Sequence, residues 1–185
     1  MLWKNMYRLK QKYGKEYDIT PMTYIFPEDY NRFNIDRENE PNSCLYILKP
    51  VASSCGRGIK VIGKSTKLGK RDGYLASKYV MKPHLINGLK YDLRVYVLVS
   101  SYDPLRVYVY NEGLVRFATE KYSLNPADLK KRFIHLTNFS VNKRSENFVS
   151  NKCDPDSEEA SSKWSFKGLR RAYEKRDINF DYVFS

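Results

Sequence analysis

Hydrophobic positions along the chain follow two periods, and the change between them sets the expected elements. Residues 2–13 place Leu2, Met6, Leu9 and Tyr13 near helical spacing, with Gly14 as a stop. Residues 21–26 read as extended, and Pro27-Glu28-Asp29 as the first turn of a short helix. Residues 31–43 are polar and read as a mobile surface segment, and residues 64–73 as a basic, solvent-exposed loop. Residues 74–81 read as a buried strand that Lys82-Pro83 ends. Over residues 91–101 the alternation is close to ideal. Leu93, Val95, Val97 and Val99 share one face, and Asp92, Arg94, Tyr96 and Leu98 share the other. A turn at 102–105, a strand at 106–110, a tight turn at Asn111-Glu112-Gly113 and a strand at 114–119 complete an antiparallel meander. Further on, residues 126–132 read as a short helix, 133–141 as extended and 142–162 as a polar loop. Ser165 is placed to cap a helix running to Glu174, with Leu169, Ala172 and Tyr173 inward.

Residues 46–62, YILKPVASSCGRGIKVI, interrupt this pattern with chemistry. Leu45, Ile47 and Leu48 deliver Lys49 at the end of a strand, which Pro50 stops because it has no N–H to give a ladder. A loop of small residues follows, and the β-branched run at 59–62 returns. Such a loop lets backbone N–H groups converge on an anion, since no bulky side chain blocks the approach. Lys49 and Arg57 add positive charge at its edges. The pattern is compatible with a grip on nucleotide phosphates and equally with a plain hairpin whose cations are solvated. It is neither a Walker A loop nor GxGxxG.

Composition narrows the partners. The 185 residues have a formal charge of +12, which favours acidic surfaces: nucleic acid, anionic lipid or acidic protein segments. Cys44, Cys55 and Cys153 have no CxxC spacing and only His84 and His135 accompany them, so neither a zinc site nor a disulfide framework is expected. A reduced, intracellular compartment fits. The first residues hold no continuous apolar stretch, so no signal peptide is expected, and no stretch approaches membrane-spanning length.

Asp92 and Arg94 stand on the polar face of an otherwise apolar strand, on a meander to which Lys78, Lys90 and Arg116 are also assigned. That many cations on one sheet call for an anion or carboxylates to neutralise them. Thr137 and Asn138 could touch a ribose or a metal shell, or form an Asx turn. On this chemistry two classes remain open: an ATP-using enzyme, and a basic, non-catalytic binding module for nucleic acid or acidic protein tails. The interleaved Tyr96, Tyr102, Tyr108 and Tyr110 suit base stacking or sheet packing alike, and no RNP-like motif is present.

Several blocks taken together carry a resemblance: YILKP, GRGI, SKYVMKPHLINGLKYDLRVYVLVSSYDPLRVYVYNEGLVRFATEKY, HLTNFSVNK and SKW. They resemble the tubulin tyrosine ligase-like family, and within it the polyglutamylase branch. The resemblance implies an α+β fold of ATP-grasp type, with antiparallel sheets and flanking helices. It implies an ATP-dependent ligase that activates a glutamate side chain of a tubulin tail as an acyl phosphate, which the amine of free L-glutamate then attacks. Lys49, Arg57 and Gly58 would hold phosphates. Ser77, Lys78, Tyr79 and Val80 would form the hinge beside adenine, and Lys90, Tyr91, Asp92, Thr137 and Asn138 would line the nucleotide site. Arg57, Arg116, Phe139, Ser140 and Lys163 match positions that hold the incoming amino acid, with Arg57 and Arg116 catalytic. The family usually has Tyr where this chain has Phe139, which removes one hydroxyl. The implied cofactors are ATP and Mg2+. The family's magnesium carboxylates are expected beyond Ser185, so the chain reads as one partial catalytic domain, incomplete at its C-terminal end and inactive alone. The implied partners are the acidic C-terminal tails of tubulin and microtubules, with no membrane partner and nucleic acid not favoured. The implied place is the cytoplasm and cytoskeleton, including cilium or basal body.

Overall fold

A computed structural model describes residues 2–69, 72–150 and 161–181. The chain is α+β and divides into two units, Met1–Pro83 with Leu124–Lys130, and His84–Ser123 with Lys131–Ser185.

The first unit opens with helix α1, Leu2–Tyr13, and a 3-10 turn at Lys15–Tyr17. Gly14 ends α1 at φ +84°, as its position after Tyr13 predicts. The inward side is rotated from the expected one: Leu2 and Tyr13 are exposed, and no residue of α1 is fully buried. Strands β1 (Thr23–Phe26), β2 (Tyr46–Pro50), β3 (Lys60–Ile62) and β4 (Tyr74–Lys78) form an antiparallel sheet in the order β1-β4-β2-β3. Residues 31–43 are not a mobile segment. Helix α2 occupies Tyr30–Asn39, because Phe33 anchors it to the sheet. Phe33 is wholly buried, and its ring meets Tyr46, Tyr24 and Phe26 edge-on at centroid distances of 5.0, 5.2 and 5.3 Å. Phe33 and Ile35 are the apolar side chains of this polar stretch, two apart, and leave no helical periodicity to read; Ile35 is exposed. Nor is the loop after β3 simply solvated. Lys64 donates to the Glu38 and Glu40 carbonyls at 2.6 and 3.1 Å, at the C-terminal end of α2 where a cation is favoured.

In the second unit β5 (Leu85–Ile86), β6 (Leu89–Tyr102), β7 (Leu105–Lys121) and β8 (Lys163–Ser165) form an antiparallel sheet in that order. The expected turn at Asn111-Glu112-Gly113 is absent. β7 runs straight through it, and the surplus residues form an irregularity between the pairs Val95↔Gly113 and Val97↔Val109. The meander is therefore one long hairpin. Gly113 serves close approach: a Cβ there would lie 2.5 Å from the Arg94 carbonyl oxygen and from the Phe166 ring. Glu112 accepts from the Phe166 N–H at 3.2 Å, at the start of helix α5, Phe166–Glu174.

Ser165 caps α5 as expected, accepting from the Gly168 N–H at 3.0 Å. Leu169, Ala172 and Tyr173 are buried against Val115, Phe117 and Trp164. Residues 126–130 form turns, and the helix near them is α3, Arg132–His135. The run 133–141, expected to be extended, holds most of α3 and part of α4, Phe139–Asn142. Cys44 is buried and Cys55 exposed, and Cys153 lies outside the described residues.

Phe33→Ala should cost about 3–5 kcal/mol, the usual loss for a buried aromatic ring. Urea denaturation of the chain measures it; a loss below 1 kcal/mol would show that α2 does not depend on this anchor.

Candidate functional site

Alternation along each strand divides the expected site residues between sheet faces. On the first sheet Tyr46, Leu48 and Ala76 face the core beneath α2. Lys49 and Ser77 take the opposite face, where Ser77 and Thr23 share a hydroxyl hydrogen bond of 2.9 Å. Lys78 turns the other way, to Glu40 at 2.7 Å, and belongs to this sheet rather than to the one carrying Lys90 and Arg116. It was expected among the cations of the meander; its ammonium is neutralised locally instead.

Lys49 is half-buried and paired in register with Leu75, and no carboxylate among the described residues answers its charge. Burial pushes its pKa below the ordinary lysine value. Beyond it, the expected small-residue loop connects β2 to β3. Cys55, Gly56 and Gly58 have φ of +59°, +73° and +71°. A Cβ on Gly58 would come within 2.7 Å of Pro50 Cγ, so glycine there meets both a left-handed backbone and a close approach. Arg57 is exposed, and its N–H donates to the Ser54 carbonyl at 3.2 Å.

At the far end of β4, the Lys78 and Tyr79 N–H groups donate to the Met22 and Leu45 carbonyls, both at 2.8 Å. Tyr79 is buried and Val80 is exposed. Lys78, Tyr79 and Val80 border a cleft of about 650 Å³ whose other walls include Trp3, Tyr7, Ile19 and Met22. The α1 side of that cleft carries no sequence motif and was missed. Tyr79 follows Leu75, which stands opposite Lys49, by four residue steps, about 13 Å at strand rise.

On the second sheet, three of the expected residues fall into one line. Asp92 stands opposite Arg116 on β7, and Arg116 opposite Lys163 on β8. Residues directly opposite in an antiparallel ladder share a face, so this is one row of charge across three strands. Arg116 grips Asp92 with two donors, Nε to Oδ1 at 3.0 Å and Nη2 to Oδ2. That fork raises the Arg116 pKa still further. Its partner is thus Asp92, rather than the nearby Glu112 or Glu120. Lys90 lies on β6 with its ammonium 3.1 Å from the His135 carbonyl. Tyr91 turns away from Asp92 into the core. Its hydroxyl lies 2.6 Å from that of Tyr173 and 2.9 Å from His84 Nδ1, and burial raises its pKa. Its side chain does not join the row.

Thr137 and Asn138 occupy the link between α3 and α4, and Phe139 and Ser140 the start of α4. The Asx-turn reading fails, since the Asn138 side chain makes no capping bond; its carbonyl accepts from the Val141 and Asn142 N–H groups instead, both at 3.0 Å. Phe139 is exposed beside the Phe148 ring at 5.7 Å. What holds this link is Asn142, which sequence reasoning missed. Its Oδ1 accepts from the Thr119 N–H at 3.1 Å and hydroxyl at 2.9 Å, and its Nδ2 donates to the Leu136 and Asn138 carbonyls at 2.7 and 3.1 Å. All four hydrogen-bonding positions of the amide are used, and the residue is 1% exposed. A lone Asn beside the apolar Val141 was the available signal.

With this geometry in view, the comparison with known proteins decides the family: the tubulin-tyrosine ligase family model matches residues 1–184. The chain belongs to the tubulin-tyrosine ligase family. It is similar to tubulin monoglutamylase TTLL4 of Mus musculus, 40% identical over 183 residues, covering 98% of this chain and 15% of that protein. It is also similar to tubulin polyglutamylase TTLL5 of Homo sapiens, 41% identical over 174 residues, covering 92% of this chain and 13% of that protein. Tubulin polyglutamylase TTLL7 of Xenopus tropicalis is 37% identical over 173 residues, covering 91% of this chain and 19% of that protein. The chain thus spans less than a fifth of the length of these relatives.

Asn142→Ala should lower stability by about 2 kcal/mol or more, because it leaves buried N–H and C=O groups of Thr119 and Leu136 unpaired. Denaturation of the variant checks this, and a loss under half that size would dismiss Asn142 as the clamp.

Lys49→Met should raise stability at neutral pH, since a charge held in a partly dry site is removed. A lysine with a lowered folded pKa costs stability while protonated, and the cost is relieved as pH rises toward its unfolded value near 10.4. The stability difference between the two proteins should therefore shrink between neutral and alkaline pH. A constant difference across that range would contradict it.

Proposed function

We propose that this family member forms part of an ATP-grasp ligase that joins glutamate to glutamate side chains in the acidic tails of tubulin. The observation that carries the reading is the row Asp92, Arg116, Lys163 across three strands. With Nε and one Nη2 hydrogen held by Asp92, the remaining Nη hydrogens of Arg116, beside the Lys163 ammonium, suit an amino acid with two carboxylates. Asp92 orients the fork, Arg116 takes one carboxylate and Lys163 meets the other; Phe139 and Ser140 border the same amino acid from α4. The names of the relatives, mono- and polyglutamylases, support the same class.

The first unit fits a nucleotide. Lys49 is a half-dry cation without a carboxylate partner among the described residues, beside a loop in which Gly58 leaves no room for a Cβ. Lys49, Arg57 and the backbone at Gly58 would hold phosphates, and the backbone from Ser77 to Val80 would meet the base. Lys90, Thr137 and Asn138, in the second unit, are among the other residues that the family resemblance assigns to nucleotide. ATP, when bound, supplies the phosphoryl group that activates a carboxylate toward an amine. Magnesium is assigned no residue: Asp92 is committed to Arg116, and no three His, Cys, Asp or Glu side chains gather among the described residues. No helix among the described residues is long and apolar enough to cross a membrane. The proposed setting is the cytoskeleton, including cilium or basal body. No observation favours the nucleic-acid module over the ligase.

The test is a chimaera in which residues 1–184 replace the matching segment of the human polyglutamylase. It should transfer labelled glutamate to a tubulin tail peptide. Arg116→Ala in the chimaera should reduce transfer at least about tenfold with ATP affinity nearly intact, the scale of one lost charge-assisted contact. A chimaera that folds and binds ATP yet transfers no glutamate, or an Arg116→Ala variant of normal rate, would sink the assignment.

A further inference from the structure

We propose that the exposed basic stripe of α1, formed by Lys4, Arg8 and Lys12, is a docking track for an extended acidic peptide. The inference rests on the glutamate-ligase reading and adds a surface to it, whose three cations are not among the nucleotide or amino-acid residues.

The twelve residues of α1 include Lys4, Arg8, Lys10 and Lys12, and no Asp or Glu. Lys10 is answered by Asp18 at 2.7 Å. Lys4, Arg8 and Lys12 are exposed, and no carboxylate among the described residues pairs with them. They follow one another at i, i+4 and i+8, so they line one side of the helix. Like charges at that spacing weaken a helix by a few tenths of a kcal/mol per pair. Lys4 also stands in the first turn, where the helix dipole disfavours a cation. No residue of α1 is fully buried, so packing offers little compensation. An anionic partner would convert each of these costs into attraction.

The spacing suits a polypeptide. Four helical residues rise about 6.0 Å. Two residues of extended chain span about 6.7 Å. Carboxylates on alternate residues of an extended acidic peptide therefore fall opposite successive cations. Beside the stripe lies a cleft of about 300 Å³, lined by Trp3, Tyr7 and Arg32 along with Lys4 and Arg8. Its aromatic wall, with the Trp3 and Tyr7 rings 5.6 Å apart, can take an apolar side chain of the same peptide. Arg32 also lines the cleft but is paired with Asp36 at 3.6 Å, and Asp29 lines it too, so the attraction rests on the stripe.

The test uses fluorescein-labelled decaglutamate and the whole chain, with binding followed by anisotropy at low and high salt. Lys4→Glu/Arg8→Glu/Lys12→Glu should weaken binding at least about tenfold and flatten its salt dependence. The neutral triple, with Gln at the same positions, should weaken it less. A comparator of equal charge change, Lys67→Glu/Arg106→Glu/Lys130→Glu, should change it less than about threefold. Circular dichroism checks that α1 persists, and the neutral triple carries the test if charge reversal unfolds it. Equal weakening by stripe and comparator, or wild-type binding by the folded stripe variants, overturns the track. Preferential displacement of the peptide by oligo-dT overturns its assignment to an acidic peptide. ATP affinity, measured by calorimetry on the same proteins, should stay unchanged in every variant. Its absence from the wild-type chain would count against the ligase reading alone.

Discussion

Side-chain alternation on β6 is the constraint on which the second unit depends. Tyr91 and Leu93 are drawn into the core formed by Val115, Phe117, Trp164 and Tyr173. Their neighbour Asp92 is thereby committed to the other face. The pairing register then brings Arg116 and Lys163 into line with it. A slip of one residue would put a charge in the core and the core on the surface. The irregularity around Gly113 protects that register. It absorbs the surplus of β7 and clears room for the Phe166 ring, so α5 can seat on the sheet.

The first unit uses its two sheet faces for different ends. The face beneath α2 holds the aromatic cluster around Phe33 and contributes stability. The opposite face holds a lysine whose charge is poorly solvated. That charge costs stability, and the proposed phosphate contact would offset the cost. The loop after it concentrates left-handed backbone at Cys55, Gly56 and Gly58, which turns the chain tightly without bulky side chains.

Buried polar side chains do the remaining positioning. Asn142 joins the link carrying Thr137 and Asn138 to β7, and its amide is fully used. A fully satisfied buried amide fixes one geometry, because any shift leaves a polar group dry and unpaired. The contact of Tyr91 with Tyr173 and His84 acts similarly between β6 and α5.

The sequence by itself determined the local features whose causes lie within a few residues. Gly14 stops α1, Ser165 caps α5, β6 alternates between core and open face over residues 91–93 although Val95, Val97 and Val99 are exposed, and the 46–62 hairpin surrounds a small-residue loop. The blocks around residues 77–121 and 135–143 also sufficed for the family. Tertiary structure decided what depends on distant partners. Phe33 makes a helix of a polar stretch by burying a single ring. Asn142 bends a run that reads as extended, through bonds to Thr119 and Leu136. Lys78 is claimed by Glu40, thirty-eight residues away, and Arg116 by Asp92 across the ladder. Propensity and period are sums over neighbours in sequence, whereas each of these outcomes is set by one contact between residues far apart in the chain.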